Sequence, residues 1–471
     1  MSETTKPAPT APPDASSQPA SGWRGLVLRL HFYAGVLVGP FVLVAALTGV
    51  LYALTPQLES WLYADELTAP AAAEPLPLSE QVRVAQNAAP GAELHAVRPA
   101  PEPGDTTRVL FADDQLDSSE YRTLFVDPGT GDITGDLTTY GTSGVLPLRM
   151  TLDQLHRNLL LGDPGRLYSE LAASWLWVVA LGGIVLWVSR RRGRRPATLV
   201  RPEPGTSGRR RTMSRHGALG TWVLLGALFL SATGLTWSTY AGENVSDLRA
   251  ALSWSTPSLD TAGGGEHAEH TEHTGHAEHS SGAEQSTQDP VAQLDGVLAA
   301  ARAGGIDAGL IEVTPPGEAG GAWAVTEIDR GWPTQVDAVA VDASTGQVVD
   351  DVRFADYPLA AKLARWGIDG HMGSLFGWPN QILLAALGLS LATLVVLGYR
   401  MWWQRRPTRA TGFTFGRPIP RGQWRKAPRL PLLAGLAVAA VVGWFVPLLG
   451  ISLLAFLVLD VLLGWKTRLP K

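Results

Sequence analysis

Long apolar stretches constrain this 471-residue chain more than any other feature. They begin at "RLHFYAGVLVGPFVLVAALTGVLY" and recur three more times before a closing apolar pair. About 20 such residues match the hydrocarbon thickness of a bilayer. The expected spans are 23–54, 171–190, 217–238 and 379–401, followed by a C-terminal transmembrane hairpin over 431–465, with a single tilted or re-entrant segment as the alternative.

The modest net charge of −5 hides a sorted distribution. "SRRRGRRP" and "GRRRTMSRH" fill the loop 191–216, "YRMWWQRRPTR" and "GRPIPRGQWRKAPR" fill 402–430, and "WKTRLPK" ends the chain. Arg- and Lys-rich loops stay in the cytoplasm, so these segments and both termini, the tails 1–22 and 466–471, are expected inside. The long segments 55–170 and 239–378 are then extracytoplasmic. Trp175, Trp187, Trp402, Trp403 and Trp465 fall near span ends, where interfacial aromatics are expected. Pro40 should kink the first span and free a carbonyl for neighbouring helices to satisfy. The N-terminal tail, rich in Pro, Ala, Ser and Thr, reads as disordered.

There is no cysteine, which excludes disulfides, thiolate metal sites and iron–sulfur clusters. No G-x-G-x-x-G opens a βαβ unit and no P-loop occurs, so no nucleotide domain is expected. Nor is there a nucleic-acid footprint: the Arg clusters report topology and meet the anionic lipid of the bilayer.

The chain also reads as a duplication. With His31 on His216, "HFYAGVLVGPFVLVAALTG" lies over "HGALGTWVLLGALFLSATG" without a gap, matching Thr48-Gly49 to Thr233-Gly234. A second register lays "VDPGTGDI" over "VDASTGQV" and His156 over His371. It carries on to Gly183 over Gly398 and Arg190-Arg191 over Arg405-Arg406. Both units enter from the same side, which makes the repeat parallel. Each outer segment has a helical stretch and then β-type runs around a D-x-x-T-G turn. The fold class is therefore an α-helical integral membrane protein: a parallel-repeat bundle of four core spans plus the hairpin, with two extracytoplasmic α+β domains.

The residues "RLHFYAGVLVGPFVLVAALTGVLYAL", "LHRNLLLGDPGRL" and "HMGSLFGWPNQILLAALGLSL", with the two VDxxTG hairpins, resemble the PepSY-associated transmembrane family over about residues 22–410. That family includes iron-regulated membrane proteins and inner-membrane siderophore reductases. The resemblance implies PepSY-like outer domains, an inner-membrane location and di-haem electron transfer.

Four of the ten histidines, His31, His156, His216 and His371, occupy the repeat-related positions. Neutral imidazoles facing each other across helices can fill both axial positions of a haem iron. Depth and pseudo-symmetry pair His31 with His216 and His156 with His371, giving two haem b sites, one near each face. Gly35, Gly39, Gly217 and Gly220 would let a flat macrocycle approach the backbone. The competing reading is that an interfacial histidine merely turns its polar edge to water.

The insert 263–282 carries His267, His270, His273, His276 and His279 with Glu between them. Such a tract suits divalent metals such as zinc, copper or nickel; as an alternative it is a polar insertion with incidental histidines. His95 reads as a satisfied surface residue. Asp460, an acid within the last span, is a functional candidate unless it pairs locally with Lys466.

The expected function is electron transfer from a separate cytoplasmic reductase or quinol to a metal or ferric siderophore outside. Two rivals stand beside it: a non-redox metal-binding accessory, which needs no haem, and a PepSY-type regulator of an envelope protease, indifferent to the four histidines.

Overall fold

A computed structural model describes residues 22–117, 119–141, 144–193, 195–262, 290–317, 321–406 and 428–466. The N-terminal tail and the His-rich insert with His267, His270, His273, His276 and His279 lie outside the described residues, as does most of the second basic loop.

The first half runs through α1 (Gly22–Ala53), α2 (Thr55–Leu62), α3 (Ala64–Leu67), α4 (Leu78–Ala88), β1 (Glu93–Arg98), β2 (Thr107–Ala112), β3 (Glu120–Val126), β4 (Ile133–Tyr140), α5 (Pro147–Asn158) and α6 (Asp163–Arg191). The second runs through α7 (Gly208–Trp222), α8 (Leu224–Leu235), α9 (Tyr240–Ala251), α10 (Leu294–Ala303), β5 (Ile311–Thr314), β6 (Trp323–Glu327), β7 (Ala338–Asp342), β8 (Gln347–Val352), α11 (Leu359–Met372) and α12 (Trp378–Trp403). The chain closes with α13 (Arg429–Phe445) and α14 (Pro447–Lys466).

α1, α6, α12 and α14 are long and apolar enough to cross a membrane. The third expected span is a bent pair instead: α7 and α8 meet at 62° around Val223, and count as a fifth span only if taken together. No Pro or Gly stands at that break. The side chains of Thr221 and Trp222 donate to the carbonyls of Leu199 and Val200 at 3.3 and 3.1 Å, tying the end of α7 to the preceding loop. α13 is a shorter apolar helix, packed on α14 where Gly443 and Gly450 let the backbones touch.

α1 runs unbroken through Pro40. A helical proline leaves carbonyls one turn back without their amide donor. The hydroxyls of Tyr399 (α12) and Tyr168 (α6) donate to the carbonyls of Val36 and Leu37, each at 2.8 Å. Three helices are thereby keyed together at one proline. Trp175 and Trp187 differ from the interfacial expectation, since both are buried. Trp175 donates to Ser452 Oγ on α14 at 2.9 Å, and Trp187 to the Leu199 carbonyl at 2.9 Å.

The two outer segments do not form separate sheets. The eight strands among the described residues make one antiparallel sheet, ordered β4-β3-β2-β1-β5-β6-β7-β8. Two meanders meet at their first strands, joined at Val97 and Val313. α4 and α10 cover one face with a single apolar core that includes Val82, Leu294, Val97, Phe111, Val313 and Trp323. Asp295 of α10 accepts from the backbone N–H of Leu78, at 2.7 Å, and from that of Ser79, capping α4 across the two halves. The β1–β5 seam could not be read from strand patterns, because each segment alone satisfies the alternation of a half-buried sheet.

Candidate cofactor sites

The two expected histidine pairs form. His31 of α1 faces His216 of α7 with ring centres 6.2 Å apart and planes at 84°. His156 of α5 faces His371 of α11 at 6.4 Å and 85°. We call these the loop-side and sheet-side pairs, after the basic loop 191–208 and the sheet.

The ring nitrogens are already sorted. His31 Nδ1 lies 2.9 Å from the Val179 carbonyl of α6, and His216 Nδ1 lies 3.1 Å from the Leu394 carbonyl of α12. A carbonyl only accepts, so both Nδ1 atoms carry the proton. At the sheet-side pair, His156 Nδ1 lies 3.2 Å from Thr48 Oγ1 and His371 Nδ1 lies 2.6 Å from Thr233 Oγ1. Each threonine hydroxyl donates to its own helix, Thr48 to the Val44 carbonyl and Thr233 to that of Phe229, both at 2.8 Å. Its oxygen is left to accept from the ring. In all four histidines Nε2 therefore keeps a lone pair.

Burial pushes His371 down to about 3, with the neighbouring His156 ring adding to the shift, and burial lowers His156 as well. Both are neutral at neutral pH, the form that ligates a metal. Each of the four residues is half-buried rather than fully packed.

The spacing fits one ion between each pair. An imidazole nitrogen binds a first-row metal at about 2.0–2.1 Å and lies about 1.1 Å from its ring centre, so two coaxial ligands put their centres about 6.3 Å apart. Two imidazoles leave a bare ion short of ligands. Among the described residues no group of three or more His, Asp or Glu could hold a metal ion. A prosthetic group bringing its own equatorial nitrogens suits this donor set better.

The flanking glycines divide into two kinds. A Cβ on Gly35 would meet nothing within 4 Å, and one on Gly220 only Leu394 at 3.9 Å, so both border open space. Gly39 and Gly217 instead allow helix packing: added carbons would stand 3.1 Å from Tyr399 and collide with the Trp187 indole. Two glycines lie against the histidines themselves, since a Cβ on Gly183 would sit 3.0 Å from His31 Cε1 and one on Gly49 3.3 Å from His156 Cε1.

Sequence reasoning missed the charges beyond the sheet-side pair. Arg149 pairs with Glu59 at 2.6 Å, and burial raises the Glu59 carboxyl despite that guanidinium. Asp369, fully buried two residues before His371, lies between Arg365 and Arg330 at 3.1 and 3.6 Å. The Arg365–Asp369 spacing of one turn was the available signal. His95 lies away from both pairs, stacked on Tyr121 at 3.9 Å. Asp460 does not need Lys466 as partner: it forms an ion pair with Arg29 of α1, both side chains buried.

Apolar helices around two histidine pairs, joined to an antiparallel sheet, define a multi-pass membrane protein with two internal histidine pairs. The family model for the PepSY-associated TM region matches residues 28–405, and the chain belongs to that family. No curated protein matches it at a significant level.

Proposed function

We propose that this is a haem-containing electron-transfer protein of the cytoplasmic (inner) membrane, passing electrons outward to reduce a metal or ferric siderophore. The observation that carries the reading is the two crossed histidine pairs, each spaced for one shared ion with Nδ1 engaged and Nε2 free to ligate. His31 and His216 would hold one haem b, His156 and His371 a second. When bound, iron porphyrin supplies a one-electron carrier and the four equatorial nitrogens that the imidazoles lack.

The residues of the chain do the rest. Val179, Leu394, Thr48 and Thr233 fix the tautomers and the ring planes, as outer-shell acceptors do at metal sites. The surrounding apolar helices exclude water. His31 and Thr48, the partner of His156, stand roughly 17 residues apart on α1, or about 25 Å of helix. A bilayer core measures about 30 Å, so this spacing suits one pair near each face.

The Arg-rich loops favour a cytoplasmic N-terminus, with the sheet outside. The symmetrical strand order supports reading the halves as a parallel repeat of two PepSY-like units. The paired contacts Val179/Leu394 and Thr48/Thr233 support it too. The donor is a separate cytoplasmic reductase or a quinol, and the His-rich insert is a divalent-metal collector.

The test is an absorption spectrum of the detergent-purified protein, oxidised and dithionite-reduced, beside His31→Ala and His371→Ala. A low-spin bis-histidine spectrum diminished in each variant supports the proposal. Protein that stays colourless after expression with added haem precursor overturns it.

A further inference from the structure

The arginines at the loop-side end of the bundle are placed with respect to the histidines, and their placement repeats. Arg24 stands seven residues before His31 on α1, and Arg209 seven before His216 on α7. Seven residues is nearly two full turns, so each arginine shares a helix face with its histidine, about 10 Å along the axis. Arg24 falls on Arg209 in the register that puts His31 on His216. Arg190 and Arg405 match in the register that puts Val179 on Leu394, the two residues whose carbonyls orient those rings.

Three of these side chains lie near one another. The guanidiniums of Arg405 and Arg190 both repel that of Arg209. Arg405 also lies 5.5 Å from the ring of Phe32, the residue after His31. A guanidinium suits a carboxylate in two-pronged fashion. A planar ligand lying across the His31–His216 axis would extend along the bundle toward this rim. The sheet-side pair has a counterpart: Arg149 stands seven residues before His156 on α5.

We infer that Arg24 and Arg209 hold the propionate carboxylates of the haem bound between His31 and His216, with Arg190 and Arg405 completing the cationic rim. Those propionates point to the basic loop and away from the sheet. This rests on the haem reading above and adds the orientation of the group. The competing account is that the four arginines serve only membrane topology.

The experiment measures haem loss from the purified full-length protein to excess apomyoglobin. Wild type is run beside Arg24→Gln/Arg209→Gln and beside Arg192→Gln/Arg215→Gln, which removes equal charge from the same side off the histidine faces. The expected result is a tenfold or greater acceleration for one of the two haems in the first variant and wild-type rates in the second. In a His31→Ala background the Arg24/Arg209 change should be silent. Haem-free protein is then reconstituted with iron protoporphyrin dimethyl ester, whose carboxylates are masked. Wild type should release the ester as fast as the Arg24/Arg209 variant releases haem, and the variant should not distinguish the two. Equal retention of haem and ester by wild type overturns the inference, as does equal acceleration by the Arg192/Arg215 control. Wild type that takes up no haem overturns the underlying reading too, and shows it before any variant is compared.

Discussion

The two histidine pairs have nearly the same ring geometry but are supported by different groups. At the loop-side pair, main-chain carbonyls of α6 and α12 orient the rings. At the sheet-side pair, threonine hydroxyls of α1 and α8 do so. A carbonyl is supplied by any residue and survives substitution at its position. A hydroxyl belongs to one side chain and is lost with it. The loop-side site is therefore protected against point changes in its supporting shell, and the sheet-side site is tunable through two residues.

The largest effect separates the pairs outright. His31→Ala or His216→Ala should empty the loop-side site alone, and His156→Ala or His371→Ala the sheet-side site alone, each taking bound haem from about two per chain to about one. Pyridine haemochrome quantification checks this, and loss of both haems in any single variant would mean that the sites are not independent.

Next come Thr48→Val and Thr233→Val, which keep the side-chain shape and remove the acceptor. Outer-shell changes cost about 10–100-fold in ligand affinity, and here the loss should fall on the sheet-side haem only. Haem-loss kinetics resolve the two fractions. Val179→Ala and Leu394→Ala, which leave the carbonyls in place, should give wild-type rates.

Smaller again is Gly183→Ala, whose methyl would stand 3.0 Å from His31 Cε1, whereas Gly398→Ala has 3.9 Å to His216 Cε1. Overpacking of the first kind costs about 1–3 kcal/mol, so the Gly183 variant should weaken the loop-side site and the Gly398 variant should not.

The smallest effect is on pH. The His371 ring is held down to about 3 in the folded protein, while an unfolded imidazole takes its proton near 6.5. Between these values the unfolded chain binds more protons, so stability is lost as pH falls through that window. Haem-free protein should melt at a lower temperature at pH 5 than at pH 7.5, and His371→Phe should narrow the gap.

Much of this was legible in the sequence because it is local. Span positions follow from apolar length, the pairing follows from the repeat registers, and Thr48 and Thr233 stand at matched positions before a glycine. Pro40 announced a freed carbonyl, and the structure supplies Tyr399 and Tyr168 to meet it. What stayed hidden depends on distant segments meeting. The Val179 and Leu394 carbonyls are indistinguishable from any others until α6 and α12 are placed. The β1–β5 seam leaves no mark on either strand, and the bend at Val223 is set by bonds to Leu199 and Val200 rather than by a helix breaker.

The Arg29–Asp460 pair has a consequence for how the bundle is closed. Arg29 and Asp460 stand 431 residues apart in the chain. Removing one partner of a buried ion pair costs about 3–5 kcal/mol, so this contact fastens α14 to α1. Asp460 lies on α14, beyond the residues that the family model matches.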